Sequence, residues 1–269
     1  MANDATTEPV LIDVAATGVA TLTLNRPKAR NALSLAMIGA MREAVAEVGG
    51  RADVSVIVIA ASGPVFCAGH DLKELTARRG DGDRGRAFFA ETMQRCAAMM
   101  MAIVTCPKPV IASVGGTATA AGCQLVATCD LAVASEAAHF CTPGVNIGLF
   151  CSTPMVALSR NVSRKHAMEM LLTGDLIPAA RATEIGLINR VVPAEALAAE
   201  TAKLAEQIAA KSAETIAIGK RAFYEQIEKP LPDAYAFAAD VMTENMLARD
   251  AEEGIGAFLE KREPEWGKV

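Results

Sequence analysis

The first clear pattern along the chain is an alternation of apolar and polar residues from Val19 to Leu24. Ala20, Leu22 and Leu24 fall on one face, because successive side chains of a strand point to opposite sides. The segment ends at Asn25-Arg26-Pro27, residues that favour a turn. A half-buried strand that leads into a polar turn is therefore predicted here.

A helix is predicted directly after this turn. Ser34 is a typical N-cap residue, and the Gly49-Gly50 pair would stop the helix near Val48. Between these signals, apolar side chains recur at helical spacing. They are Leu35, Ile38, Met41 and Val45.

The middle of the chain alternates between apolar strands and helices. Strands that are apolar almost throughout are expected to be buried on both faces. The predicted strands are Val54 to Ala60, Val110 to Val114, Leu131 to Ala134 and a shorter one at Phe140. The predicted helices are Ala87 to Thr105 and about Ala120 to Thr128, and a polar surface loop from Arg78 to Arg86 precedes the first of them.

From Ser152 onward the patterns are almost wholly helical, most clearly from Ala194 to Lys211. No Pro- or Ser-rich linker divides the chain. Strands with helical crossovers, followed by helices, predict one α/β domain. We expect a flexible N-terminus over residues 1–9, a core over residues 10–193 and a helical C-terminal region over residues 194–269.

Composition narrows the classes of partner. The chain has 269 residues, 52% of them hydrophobic, which is enough for a sizeable core and excludes global disorder. Its formal net charge is −5 and only 4% of its residues are aromatic. A nucleic-acid partner is therefore not expected, because it would require a basic face or stacking side chains. Small molecules or other protein chains are the expected partners.

Two stretches without charged residues raise the question of a membrane. These stretches, Pro109 to Cys129 and Ala137 to Ser159, contain Gly, Pro and polar residues and do not resemble spans. The segment from Met1 to Pro9 carries Asp4 and lacks an apolar signal region. We therefore expect no membrane partner and a cytoplasmic protein.

The cysteines and histidines do not indicate a metal centre. Seven cysteines are scattered without a C-x-x-C pair, which favours buried reduced thiols over a disulfide framework or a zinc site. The three histidines, His70, His139 and His166, share no ligand-like spacing. No metal is predicted.

Three glycine-containing junctions are the candidates for chemistry: "VFCAGHDL" from Val65, "GGTATAAGCQL" from Gly115 and "TPGVNIGLF" from Thr142. In the first two, a turn of small residues leads toward a helix and leaves backbone N–H groups unpaired. Such donors can hold an oxygen anion. The alternative is that the small residues only permit tight packing between strand and helix.

Several segments together resemble the crotonase, or enoyl-CoA hydratase/isomerase, superfamily. They are "NRPKARNALS", "FCAGHDLKEL", "KPVIASVGGTATAAGCQLVATCDLAVAS", "TPGVNIGLF" and "GAFLEKREPEW", in that order along nearly the whole chain. The resemblance implies a spiral of ββα turns with a C-terminal helical trimerisation region, in a homotrimer or a dimer of trimers. It also implies an acyl-CoA thioester as the substrate in fatty-acid metabolism, with no separate cofactor because CoA is part of that substrate.

The resemblance assigns roles to particular positions. The N–H groups of Ala68 and Ala121 would face the thioester oxygen as an oxyanion hole, where one donor is worth roughly 10²–10³ in rate. Lys28 and Arg30 would meet the CoA phosphates, although basic residues in a polar turn are also commonly just solvated. The remaining substrate-binding positions are Cys67, Gly69, His70, Asp71, Leu72, Gly122 and Asn146.

Two positions depart from the family pattern. Where a hydratase of this family carries its two glutamates, this chain has Gln124 and Gly144. Neither can exchange a proton near neutral pH, and each lost acid/base role is typically worth about 10²–10⁴ in rate. We therefore expect an acyl-CoA-binding protein that hydrates weakly. His70 is the one imidazole beside the expected oxyanion hole. Its ordinary pKa suits acid/base work, but the sequence shows no partner for it, and the resemblance implies that this position more often lines the substrate pocket.

Two alternatives remain open. The chain could be a non-catalytic acyl-CoA sensor or partner subunit. It could also be a thioester hydrolase or isomerase that uses the same oxyanion hole. Asn146 is expected to be a buried amide, and Asp130 and Cys151 are expected to be structural.

Overall fold

The computed structural model describes residues 8–267, which form two sheets surrounded by helices. The strands are β1 (Val10–Val14), β2 (Val19–Leu24), β3 (Val56–Ala61), β4 (Val65–Cys67), β5 (Val110–Val114), β6 (Thr117–Thr119), β7 (Leu131–Ser135), β8 (His139–Cys141), β9 (Ile177–Pro178) and β10 (Arg190–Val192). One sheet has six strands in the order β1-β2-β3-β5-β7-β10, and the other has four in the order β4-β6-β8-β9. Only the β1–β2 and β8–β9 pairs are antiparallel.

Helices follow or cover these strands. They are α1 (Leu35–Gly49), α2 (Leu72–Ala77), α3 (Arg86–Thr105), α4 (Ala121–Thr128), α5 (Pro154–Asn161), α6 (Arg164–Thr173), α7 (Ala179–Glu184), α8 (Leu197–Ala209), α9 (Ala213–Gln226), α10 (Leu231–Met246) and α11 (Arg249–Glu260). Short 3-10 helices occur at Pro27–Ala29 and Pro143–Ile147, among other places. No helix within residues 8–267 is long and apolar enough to cross a bilayer.

The same unit recurs along the chain. The pairs β3/β4, β5/β6 and β7/β8 each contribute one strand to the large sheet and the next to the small sheet, and helices follow each pair. Consecutive units lie side by side because β3, β5 and β7 pair in parallel, as do β4, β6 and β8. The chain is thus a spiral of ββα turns, as the resemblance implied.

The central strands of the large sheet are buried on both faces, which explains why β3 and β5 are almost continuously apolar. Ile57 and Ile59 of β3 belong to the main core beside α1 and α3. Val56 and Val58 point the opposite way and pack with Leu204 of α8. Because neighbouring side chains of a strand face opposite sides, every position of β3 needs an apolar residue.

Most of the predicted elements are confirmed. The strand Val19–Leu24, the strand Val110–Val114 and the helix capped by Ser34 are found, with the Ser34 hydroxyl accepting from Met37 N–H at 3.2 Å. The short strands β1, β4 and β6 were not predicted. The expectation that the chain is almost wholly helical after Ser152 is wrong at β9 and β10, and β10 forms an edge of the large sheet.

All seven cysteines are buried and free, as expected for structural thiols. Asp130 is also structural. It accepts from Val110 N–H at 2.7 Å and from the Tyr224 hydroxyl at 2.8 Å, and its Oδ2 lies 2.7 Å from Lys220 Nζ. This cluster connects α9 to the ends of β5 and β7.

Candidate active site

The parallel pairing of β4 with β6 brings two of the predicted glycine turns together. The turn after β4 contains Gly69, whose φ of +83° favours glycine. A methyl group at Gly69 would lie 3.0 Å from Ala120 Cβ and 3.2 Å from Ala121 N. The two turns are therefore in van der Waals contact, and a side chain at Gly69 would push them apart.

His70 presents an unpaired backbone N–H at this contact. Leu33 N–H donates to Gly69 O at 2.8 Å, and Asp71 N–H donates to Leu33 O at 3.1 Å. In this parallel bridge the Gly69 carbonyl and the Asp71 N–H point toward Leu33. The N–H of His70 shares a trans peptide group with the Gly69 carbonyl and so points to the opposite side. It forms no backbone hydrogen bond with any residue in the range 8–267.

The structure corrects the assignment of Ala68 as an oxyanion-hole donor. Its N–H donates to Arg30 O at 3.1 Å and is already paired within the chain. The unpaired donor of this turn belongs to His70, two residues further along. The sequence motif placed the candidate donor in this turn, but only the pairing with Leu33 determines which N–H of the turn is unpaired.

Ala121 presents the second unpaired N–H. It is the first residue of α4, where backbone N–H groups have no partner within the helix, and it donates to no described backbone group. The preceding Ala120 has φ 49° and ψ −117°, a conformation that an alanine rarely adopts. The Ala120 N–H donates to Cys141 O at 2.9 Å, which helps to hold this strained residue in place.

Gly122 and Cys67 bring α4 close to β4. A methyl group at Gly122 would overlap the carbonyl oxygen of Cys67. The Cys67 side chain is fully buried, and desolvation raises the pKa of its thiol to about 12. Both residues therefore act through packing, which positions Ala121 against the His70 turn.

Asp71 and Leu72 begin the next helix. Asp71 Oδ1 accepts from the N–H groups of Lys73 and Glu74 and so caps α2, while its Oδ2 lies 3.5 Å from Arg26. Both carboxylate oxygens are therefore used to position the turn. The Leu72 side chain is exposed and remains available to a ligand.

The turn that carries Lys28 and Arg30 lies beside the same site, since Arg30 O pairs with Ala68. Both basic side chains are exposed, as a phosphate-binding role requires.

The turn is fixed by Asn31, a buried residue that was not singled out in the sequence. Its side chain accepts from Arg26 N–H and donates to Ser62 O and Val65 O. An asparagine between a polar turn and the N-cap of a helix was the available signal, because asparagine tolerates its φ of 52°.

Gln124 and His70 each carry a buried polar atom without a partner, Gln124 Oε1 and His70 Nε2. Gln124 lies one helical turn after Ala121 and is 5% exposed. Burial lowers the pKa of the His70 imidazole, so the ring is neutral at pH 7. A buried polar atom of this kind typically costs about 1–3 kcal/mol when it stays unpaired.

Gly144 lies in the 3-10 helix Pro143–Ile147, and its φ is not in the left-handed region. A Cβ there would lie 3.0 Å from Cys151 Sγ and 3.1 Å from Leu149 O, so this position is crowded. Asn146, in the same short helix, is exposed. The expectation of a buried amide at Asn146 is therefore wrong, because the short helix turns this residue toward the surface.

Two unpaired backbone N–H groups, those of His70 and Ala121, therefore lie on adjoining turns of two ββα units. The chain belongs to the enoyl-CoA hydratase/isomerase family, whose model matches residues 15–269. Members of this family bind acyl-CoA thioesters.

Individual relatives match nearly the whole chain. "Enoyl-CoA hydratase domain-containing protein 3, mitochondrial" of Rattus norvegicus is 49% identical over 249 residues, which are 93% of this chain and 81% of the rat protein. The crystal structure of the human protein of that name has a TM-score of 0.91 at 48% identity and covers 96% of this chain and 100% of its own. An enoyl-CoA hydratase of Mycobacterium smegmatis has a TM-score of 0.91 at 51% identity, over 96% and 98% of the two chains.

These relatives overturn one expectation. The proteins from rat, mouse and human are named as mitochondrial, which contradicts the prediction of a cytoplasmic protein. That prediction rested on the composition of the first nine residues. Residues 1–7, which carry most of that evidence, lie outside the described part of the chain.

Proposed function

We propose that this protein binds acyl-CoA thioesters through the N–H groups of His70 and Ala121. The observation that carries the proposal is that both groups are unpaired and lie on two turns in direct contact. A thioester carbonyl oxygen accepts two hydrogen bonds, and its partial negative charge increases when an enolate forms. The exposed Lys28 and Arg30 on the neighbouring turn are suited to the phosphates of CoA.

Hydration of an enoyl-CoA is proposed to be weak. Water must lose a proton as it adds to the double bond, and carbon must gain one. Gln124 cannot exchange a proton near pH 7, and Gly144 has no side chain. The acyl-CoA site therefore persists without the two carboxylates that the family resemblance assigns to these positions.

Removal of one N–H tests the binding site directly. Proline lacks an N–H and is tolerated at the first position of a helix, so Ala121→Pro removes the donor while α4 remains possible. We expect Ala121→Pro to weaken butyryl-CoA binding by at least about tenfold, the effect of about 1.4 kcal/mol. Arg164→Pro, at the first position of the exposed helix α6, is the matched control and should bind like the parent.

Calorimetry measures binding, and a spectrophotometric assay of crotonyl-CoA measures hydration. Micromolar binding with hydration far below about 1 per second is the expected result for the parent. Hydration at about 1–10³ per second would show that the proposed defect is wrong. Absence of butyryl-CoA binding by the parent would refute the site itself.

A further inference from the structure

No hydrogen bond from the described part of the chain holds the His70 ring. Neither ring nitrogen hydrogen-bonds with a residue in the range 8–267, and Nε2 is buried without a partner. By contrast, His139 Nδ1 lies 3.0 Å from Ala137 O, and His166 Nδ1 lies 3.2 Å from Ser163 Oγ. Buried polar groups in native proteins are nearly always paired, so an unpaired imidazole beside a binding site indicates that its partner is a ligand.

The carboxylates and thiols beside the described site already accept hydrogen bonds within the chain or are protonated near pH 7. Asp71 uses both carboxylate oxygens in the cap of α2 and the contact with Arg26. Glu74 Oε2 accepts from Leu35 N–H at 3.0 Å. The buried thiols Cys67 and Cys151 have pKa values raised by desolvation, so they are protonated near pH 7. Only the neutral His70 ring offers an unused lone pair on nitrogen.

We propose that the His70 imidazole is a catalytic base that removes a proton from C2 of the bound acyl-CoA, an inference that rests on the proposed thioester site. The C2–H bond breaks, its proton moves to a ring nitrogen of His70, and its electron pair forms the C1–C2 double bond of an enolate. The negative charge that develops on the thioester oxygen is held by the N–H groups of His70 and Ala121. The reverse step returns a proton to carbon, so no other reactant is consumed.

His70 can both hold the thioester oxygen and remove the C2 proton, because the carbonyl oxygen and C2 of the substrate lie close together. A carbonyl oxygen bound by the His70 N–H lies about 3 Å from that nitrogen, and C2 is the next carbon beyond the carbonyl. The imidazole belongs to the same residue, and the proposal places one of its ring nitrogens next to C2. Its part-buried position excludes most water, which strengthens the attraction between the enolate oxygen and the two N–H groups.

Exchange of the C2 protons with solvent measures this step without any net reaction. Butyryl-CoA is incubated with the protein in deuterium oxide, and loss of the C2 proton signal is followed by NMR. We expect exchange by the parent and a loss of about 10² or more in His70→Gln and His70→Leu, both of which keep the backbone N–H. His139→Gln and His166→Gln are the matched controls and should exchange at the parental rate.

Butyryl-CoA binding is measured in parallel and separates the two proposals. Binding by the parent without C2 exchange would overturn the role of His70 and leave the thioester site intact. Exchange that persists in both His70 variants would also overturn it. Loss of exchange with butyryl-CoA affinity within about threefold of the parent, which is less than 1 kcal/mol, supports it.

Discussion

His70 and Ala121 are unpaired for different physical reasons. His70 lies in a parallel bridge whose hydrogen bonds are made by its two neighbours, so its own N–H faces the other side. Ala121 lies at the start of a helix, where no earlier carbonyl is in position to accept. Neither N–H competes with an internal partner, and both are therefore available to a ligand without any hydrogen bond having to break.

At the residue scale, the positions of Gln124 and Gly144 lead to a gain-of-function prediction. Gln124→Glu with Gly144→Glu should increase crotonyl-CoA hydration by at least about 10², because it supplies both an acid and a base. A Cβ at Gly144 would lie 3.0 Å from Cys151 Sγ, so Cys151→Ala is included to make space.

The triple variant is compared with Gln124→Glu alone, which should gain much less because the two carboxylates act as a unit. Far-ultraviolet circular dichroism and butyryl-CoA binding show whether each variant is folded. A folded, binding triple variant that hydrates no faster than the parent would contradict the view that only the two carboxylates are lacking.

At the scale of elements, the strands of the large sheet could be predicted and those of the small sheet could not. Val110–Val114 is apolar throughout, because both of its faces are covered. β4 and β6 have three residues each, too few for an alternating pattern to be distinguished from a loop. The candidate site could likewise be predicted only in part. Its turns could be located from their glycines, but the choice of His70 over Ala68 depends on Leu33, a residue distant in sequence.

The part-buried cluster of Asp130, Lys220 and Tyr224 leads to a second prediction at this scale. Lys220→Met leaves the Asp130 carboxylate without its cation and should lower the free energy of unfolding by about 3–5 kcal/mol. Tyr224→Phe removes one hydrogen bond and should cost only about 1 kcal/mol.

Urea denaturation measures both values, and hydrogen exchange of α9 shows whether the helix detaches in Lys220→Met. Lys203→Met on α8 is the control for loss of an exposed lysine and should be close to the parent. Equal stability of the parent and Lys220→Met would show that the cluster does not anchor α9.

At the scale of the whole molecule, the buried thiols predict a loss of stability in alkali. Burial raises the pKa of Cys67 and Cys96 to about 12 and that of Cys141 to about 11, from 9.0 in the unfolded chain. Below pH 9 these thiols are protonated in both the folded and the unfolded chain, so their contribution to stability is fully present. Above it the unfolded chain releases protons that the folded chain retains, so stability is lost as the pH rises through the folded values.

Each thiol should contribute a slope of about 1.4 kcal/mol per pH unit in this window. Urea unfolding between about pH 8 and about pH 10.5, with a reductant present, measures the total slope. Cys96→Ala should have a shallower slope by one thiol's contribution. A free energy of unfolding that does not change across this window would contradict the burial of the thiols.

The C-terminal helices predict self-association. Leu247, Phe258 and Leu259 are 77%, 82% and 73% exposed, which is unusual for a monomer when such residues are grouped. We expect an oligomer at micromolar concentration, in the trimeric form that the family resemblance implied. Light scattering after size exclusion measures the mass.

Phe258→Glu with Leu259→Glu should shift the protein to monomer, because a charge inside an apolar interface is left without water or a partner. Gln94→Glu adds a charge on the exposed side of α3 and should leave the mass unchanged. A parent that runs as a monomer would refute the prediction.

The bridge between Leu33 and His70 also determines when the site is formed during folding. The site joins a turn near residue 30, a turn near residue 70 and the start of α4 near residue 121, three segments from successive units of the spiral. Contacts between such distant segments are made late, because the intervening chain must first be ordered. A refolding chain would therefore gain thioester binding only when all three segments are in place, so capture of a thioester marks the completion of this part of the spiral.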